Sequence, residues 1–246
     1  MVQYRPMPGL LTLPKFIAHR GTPKYVAENT VASMRKAKEL GATWIECDVM
    51  LTKDYLPIIM HDNSVNRTTN GKGVVAKMMY EQIKMLDAGG GERVPVLEDW
   101  LRTAAELGLG INLEIKEHKK RAHVIAKKIH EALRNWPSHL PAPFITSATH
   151  ACLRAYHELD DSALLGLIMD RWSLRWARKL KSTSACALII HYKELNKARV
   201  EKLHEAGYQV LAYTVNEANT AQQLFAVGVD SVFTDDVPIQ HELNVK

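Results

Sequence analysis

Short apolar runs alternate with amphipathic stretches along almost the whole chain, and this rhythm narrows the fold more than any single residue does. Strand-like runs fall at Phe16–His19, Trp44–Val49, Gly110–Ile115, Phe144–Ser147, Leu164–Ile168, Ala187–His191, Gln209–Thr214 and Asp230–Thr234. Helical patterns at Thr30–Leu40, Leu97–Leu107, Lys119–Asn135, His150–Leu159, Trp172–Leu180, Leu195–Ala206 and Glu217–Val227 separate them. In the first of these, Val31, Met34, Ala37 and Lys38 recur at spacings of three and four, and Gly41 ends the pattern. Gly108, Gly207 and Gly228 stand where left-handed helix caps are expected. Strands joined by helices in this order predict an α/β fold of the (β/α)8 barrel type.

One run breaks the rhythm. Leu56–His61 follows Val49 too closely for a parallel crossover. The turn-forming Thr52-Lys53-Asp54 lies between them, so the second strand is expected to pair with an antiparallel return. From residue 62 to residue 95 the composition shifts to Gly, Asn, Thr and Lys. This reads as an insertion after the second strand, on the face where barrel active sites form.

Composition excludes several classes. With 46% hydrophobic and 24% charged residues in 246, the chain has enough apolar surface to fold, and one barrel domain over 1–246 is expected. Cys47, Cys152 and Cys186 cannot all pair, which points to a reducing compartment and a cytoplasmic location. Met1–Leu10 holds two prolines and no long apolar core, so no signal peptide is expected there. No run of apolar residues is long enough for stable membrane insertion. The net charge of +5 is scattered, with Lys119-Lys120-Arg121 the longest basic run and no nucleic-acid-binding motif beside it. A small anionic substrate is the partner that this charge favours, with most of the excess read as solvated surface.

Ionisable groups gather at the ends of the early strands. His19-Arg20-Gly21 ends the first, and His61-Asp62 ends the antiparallel return. In the second strand, alternation puts Glu46 and Asp48 on one face and Cys47 on the other. Glu114 and Lys116 share a face at the end of the third strand. Glu46, Asp48 and Glu114 directed at one volume repel one another unless a proton or a cation neutralises them. All-oxygen ligands favour one hard divalent cation, Mg2+ first, with Ca2+ or Mn2+ also compatible. Arg20 and Lys116 are placed to hold an anion, and His19 and His61 suit acid–base work near neutral pH. A buried ion network without any metal would use the same five charged residues. Tyr213 closes the seventh strand and suits either packing or a pocket wall, and His191 ends a strand on the same face. Asn29 or Thr30 can cap the first helix, a role that competes with a catalytic one for Glu28 and Asn29.

The motifs His19-Arg20-Gly21, Glu28-Asn29-Thr30, Glu46-x-Asp48-Val49, His61-Asp62, Arg67-Thr68-Thr69-Asn70-Gly71, Asn112-x-Glu114-Ile115-Lys116 and Tyr213-Thr214-Val215-Asn216 resemble those of the glycerophosphodiester phosphodiesterases. They run in family order from about residue 16 to Pro238, and the short form looks most like the family's cytosolic bacterial members. The resemblance implies hydrolysis of small-molecule glycerophosphodiesters to sn-glycerol 3-phosphate and an alcohol. It also implies catalytic roles for His19 and His61, metal ligation by Glu46, Asp48 and Glu114, and phosphate contacts from Arg20 and Lys116. Ala27, Tyr213 and Ala148 stand where the family often has Pro, Trp or Phe, and an aromatic residue, which bears on the lining of the leaving-group pocket. His19 is taken as base and His61 as acid, and the nucleophile is water or the glycerol 2-hydroxyl. Two other readings fit a site of this kind: a lipid phosphodiesterase of lysophospholipase D or phosphatidylinositol type, and a non-catalytic phosphate-ester binder.

Overall fold

A parallel ring of strands positions everything else. The computed structural model describes residues 12–243, so the leader question at Met1–Leu10 lies outside the described residues. The strands are β1 Phe16–Ala18, β2 Trp44–Leu51, β3 Pro57–Ile59, β4 Gly110–Ile115, β5 Phe144–Ser147, β6 Leu164–Met169, β7 Ala187–His191, β8 Gln209–Tyr213 and β9 Ser231–Thr234. Eight of them run parallel, and the ring closes because β1 pairs with both β2 and β9. This is the (β/α)8 barrel that the alternation predicts. The exception also holds: β3 lies antiparallel on β2, with Val49 opposite Ile59 and Leu51 opposite Pro57.

The helices are α1 Val31–Glu39, α2 Tyr80–Ile83, α3 Leu97–Glu106, α4 Ala122–Ala132, α5 His150–His157, α6 Trp176–Ser182, α7 Lys197–Glu205, α8 Ala218–Ala226 and α9 Ile239–Glu242. Thr30 caps α1, its side chain accepting from Ser33 N at 3.1 Å. Most boundaries shift from expectation by one to four residues, and two of the shifts matter here. β1 stops at Ala18, so His19 sits in the turn beyond the strand. α6 begins at Trp176 and not at Trp172, because the apolar spacing there comes from a loop. Trp172 and Trp176 pack side by side at 6.0 Å, and the Trp176 ring meets Tyr208 edge-on at 6.1 Å.

Two packed layers follow from strand alternation. Ile45, Cys47, Val49 and their counterparts face the helices and join one large buried cluster. Ile17, Trp44, Phe144, Ile189, Leu211 and Phe233 fill the barrel interior. Gly166 makes room there, since a Cβ on it would come within 2.5 Å of the Phe144 ring. Truncating a buried Phe such as Phe144 costs about 3–5 kcal/mol. The segment after β3 builds a small cluster of its own, in which Met60, Val65, Val75 and Ile83 are buried. It is held by an antiparallel bridge between Ser64 and Val74. Among the described residues, no helix is long and apolar enough to cross a membrane.

Candidate active site

The β1–α1 loop brings the first residues to the mouth of the barrel. Arg20 and Asn29 both adopt positive φ, at 51° and 58°. Gly21 follows at φ 91°, where a Cβ would lie 2.2 Å from Ser33 Oγ, so glycine is needed on both counts. The turn is sealed by Asn29 N donating to Arg20 O at 2.9 Å and Ser33 Oγ donating to Arg20 O at 3.3 Å. It leaves Arg20 N donating to Glu46 Oε2 at 2.8 Å.

Glu46, Asp48 and Glu114 come together as their alternation predicts, with one oxygen from each within 4.8 Å of the others. Cys47 points the opposite way, into the layer beneath the helices. Asp48 Oδ2 accepts from Asn29 Nδ2 at 2.8 Å and pairs with Arg20 Nε at 3.2 Å. Glu114 Oε1 accepts from Lys116 Nζ at 2.9 Å. Two buried carboxylate oxygens, Glu46 Oε1 and Asp48 Oδ1, have no hydrogen-bond partner. Buried oxygens of this kind are costly unless something satisfies them. Converging, unsatisfied and all-oxygen, the triad fits a hard divalent cation. Burial, then Asp48 and Glu114, push the Glu46 carboxyl well above the ordinary range. Burial and Asp48 push Glu114 up to about 7 against the opposing Lys116 charge. Arg20 and Lys116 hold their protons more tightly than usual, because the carboxylates outweigh the cost of burial.

The two histidines have the same construction. His19 Nδ1 donates to Asp235 Oδ1 at 2.7 Å, and His61 Nδ1 donates to Asp62 Oδ1 at 2.7 Å. A carboxylate on Nδ1 fixes the tautomer and ring plane and leaves Nε2 for chemistry. His19 Nε2 lies 4.0 Å from Glu46 Oε2, at the edge of the triad. Burial lowers the His61 pKa, opposed by Asp48 and by the bond to Asp62. Burial disfavours charge on Asp235, but the bond and charge of His19 and a 2.9 Å hydrogen bond from Asn216 hold its pKa below the ordinary value.

Both histidines, Arg20, Glu46, Glu114 and Lys116 line one cavity of about 350 Å³. Its other wall is apolar: Ile168, Ile189, Phe233 and Tyr213. Tyr213 is therefore a pocket wall, and its hydroxyl donates to Asp170 Oδ1 at 2.8 Å. His191 does not line this cavity and meets the Tyr213 ring edge-on at 6.0 Å. Asn29 reaches the site only through Asp48. Glu28 also stands one contact back, accepting from Arg20 Nη1 at 3.0 Å and from both Nη atoms of Arg67 at 2.8 Å. Arg67 grips Asp62 as well, at 2.7 and 3.0 Å. Arg67, Asp170 and Asp235 received no site role from the sequence. The rule that found the others would have found Asp235, since it directly follows β9 at the same end of the barrel.

A barrel whose pocket sets a carboxylate triad beside two cations and two carboxylate-held histidines belongs among the hydrolases of phosphate esters. Comparison with known proteins narrows the class. Residues 19–238 match the glycerophosphoryl diester phosphodiesterase family. A glycerophosphodiester phosphodiesterase of Caldanaerobacter subterraneus subsp. tengcongensis is 33% identical over 228 residues, covering 89% of this chain and 93% of its own length. One from Bacillus altitudinis is 30% identical over 231 residues, covering 90% and 94%. The solved Oleispira antarctica phosphodiesterase, in complex with the product sn-glycerol-3-phosphate, superposes with a TM-score of 0.89 at 32% identity, covering 94% of this chain and 96% of its own. The chain belongs to the glycerophosphoryl diester phosphodiesterase family and is an enzyme of that family.

Proposed function

We propose that this protein hydrolyses small glycerophosphodiesters, such as glycerophosphocholine or glycerophosphoethanolamine, to sn-glycerol 3-phosphate and an alcohol. The carrying observation is that two histidines, each held at Nδ1 by its own aspartate, share one cavity with Glu46 and Glu114 of the acidic triad. Glu46, Asp48 and Glu114 would hold one divalent cation, Mg2+ in a cytoplasmic setting. When bound, that ion supplies charge neutralisation at the phosphoryl oxygens.

The rest of the reaction is assigned to the chain's own groups. Arg20 and Lys116 hold the phosphoryl oxygens, and both remain protonated throughout the neutral range. His19 Nε2 takes the proton of the attacking hydroxyl, and Asp235 stabilises the imidazolium that results. His61 Nε2 gives a proton to the departing alkoxide. A second cavity, of about 580 Å³, supports this division of labour. It is lined by His61, Lys116 and Glu114 but not by His19, so an alcohol lying there would leave past His61. An arriving phosphate anion favours the protonated form of His61, offsetting the lowering caused by burial.

The test is release of sn-glycerol 3-phosphate from glycerophosphocholine and glycerophosphoethanolamine, before and after EDTA and after Mg2+ is restored. Release that vanishes with EDTA and returns with Mg2+ is the expected result. Metal-independent release would sink the cation assignment, and no release from any soluble diester would sink the substrate class. Rapid turnover of a long-chain lysolipid alone would replace the soluble diester by a lipid.

A further inference from the structure

One stretch of the chain carries basic residues without acidic ones. Residues 171–193 contain six Lys or Arg and no Asp or Glu, one positive charge more than the net +5 of the whole chain. The segment runs from the β6–α6 loop through α6 to the end of β7. Arg171, Arg175, Arg178, Lys179 and Lys181 make no ion pair among the described residues, whereas Lys36, Lys84, Arg102 and Lys197 elsewhere in the chain pair with a carboxylate three or four residues away. Lys179 of this segment also acts on His150, whose pKa is lowered by burial first and then by Lys179 and Arg154.

Leu174 stands at the centre of this loop and is 95% exposed, more than any other large apolar side chain described. It is held out by its neighbours. Trp172 and Trp176 turn inward onto the barrel's outer core, and Arg199 lies over the Trp172 ring at 4.9 Å. Trp172 N is tied to Glu194 Oε2 at 3.1 Å. An anchored loop presenting a leucine amid unpaired cations suits an interface that is both anionic and apolar.

We infer that the loop carrying Leu174, with the basic face of α6, docks reversibly on a bilayer surface rich in anionic lipid. Leu174 enters the headgroup–acyl boundary while the arginines meet lipid phosphates. Nucleic acid or an acidic protein would satisfy the charge but offers no comparable place for a bare leucine. Asp170, four residues before Leu174, lines the cavity described above, so docking sets the pocket mouth beside the membrane. The inference concerns where the protein sits, and it does not depend on the reaction proposed for the pocket.

Cosedimentation with phosphatidylcholine vesicles, with and without phosphatidylserine, tests it on the intact chain. Binding only to the phosphatidylserine vesicles, weakening as salt rises, is expected. Each cation at such a surface contributes about fivefold, so Arg175→Glu with Arg178→Glu lowers binding by at least about 25-fold. Leu174→Ser lowers it about tenfold with no change of charge. Lys128→Glu with Lys202→Glu, equal in charge and on other helices, leaves binding within about fivefold of the parent. All variants keep the parent's turnover of a soluble diester, or its thermal midpoint if no such turnover exists. Absence of binding to phosphatidylserine vesicles overturns the inference. So does parent-like binding by Leu174→Ser, or equal loss in the Lys128/Lys202 control, because either reduces the patch to a general attraction for polyanions.

Discussion

His19 Nδ1 lies 2.7 Å from Asp235 Oδ1, joining the turn after the first barrel strand to the residue after the last. The bond fixes which face of the His19 ring and which nitrogen meet the pocket. Asp235→Asn should keep the fold and the triad while losing the negative charge that fixes the His19 tautomer. The expected loss in kcat is at least ~10-fold, with KM changed much less. Parent-like kcat would show that the pair only stabilises the loop.

In the proposed scheme, His19→Ala and His61→Ala each remove one proton carrier. An acid or base in such a role contributes ~10²–10⁴-fold, and each variant should lose turnover on that scale. Neither residue is assigned to the metal, so Mg2+ affinity by calorimetry should change little. Near-normal turnover in either variant contradicts the two-histidine scheme.

If the triad holds the ion as proposed, metal binding is coupled to pH. Without the ion, burial and Asp48 hold the Glu114 pKa at about 7 against an ordinary 4.5, and the Glu46 pKa is also raised. An acid whose folded pKa is raised stabilises the fold below its unfolded pKa and loses that contribution as pH rises through the folded value. The metal-free protein should therefore lose thermal stability between about pH 5 and 8 from this source, and Glu114→Gln should flatten the slope. Mg2+ needs the deprotonated carboxylates, so its affinity and its rise in thermal midpoint should grow over the same interval. Affinity that falls as pH rises would show that the ion does not use these groups.

Arg67 joins the two arms of the site, gripping Asp62 behind His61 and Glu28 behind Arg20. Arg67→Ala should cost about 10- to 100-fold in kcat/KM by loosening both. Arg67→Lys should not restore it, since an ammonium cannot present two parallel pairs. The hydrogen bond from Arg67 also holds the Asp62 pKa far below the ordinary carboxylate value. That contribution is present at neutral pH and is lost as pH falls, so Arg67→Ala should show a shallower acid-side decline in melts below about pH 4. An unchanged acid limb with unchanged kcat/KM would demote the network to surface decoration.

Much of this was legible in the sequence because barrel rules act locally. A period of two sent Glu46 and Asp48 inward and Cys47 outward. The short Thr52-Lys53-Asp54 turn announced an antiparallel partner, and β3 is there. What escaped was pairing over distance. Nothing near Asp235 says that its partner is 216 residues away, and nothing near Arg67 says that it spans two carboxylates. Trp172 reads as helical because an anchored aromatic loop mimics helical spacing. The acid-free run at 171–193 can be counted along the chain, but only the fold shows that its cations surround an exposed Leu174 beside the pocket's Asp170.

The seam between β1 and β9 also sets when the pocket can work. A chain emerging from the ribosome exposes His19, the triad and His61 long before the segment past residue 230 is made. Until that last strand arrives the ring is open, and His19 has no acceptor for its Nδ1 proton. On the roles proposed above, the growing polypeptide would carry its acids, bases and cations in an idle form, and hydrolysis would switch on with the closing of the circle.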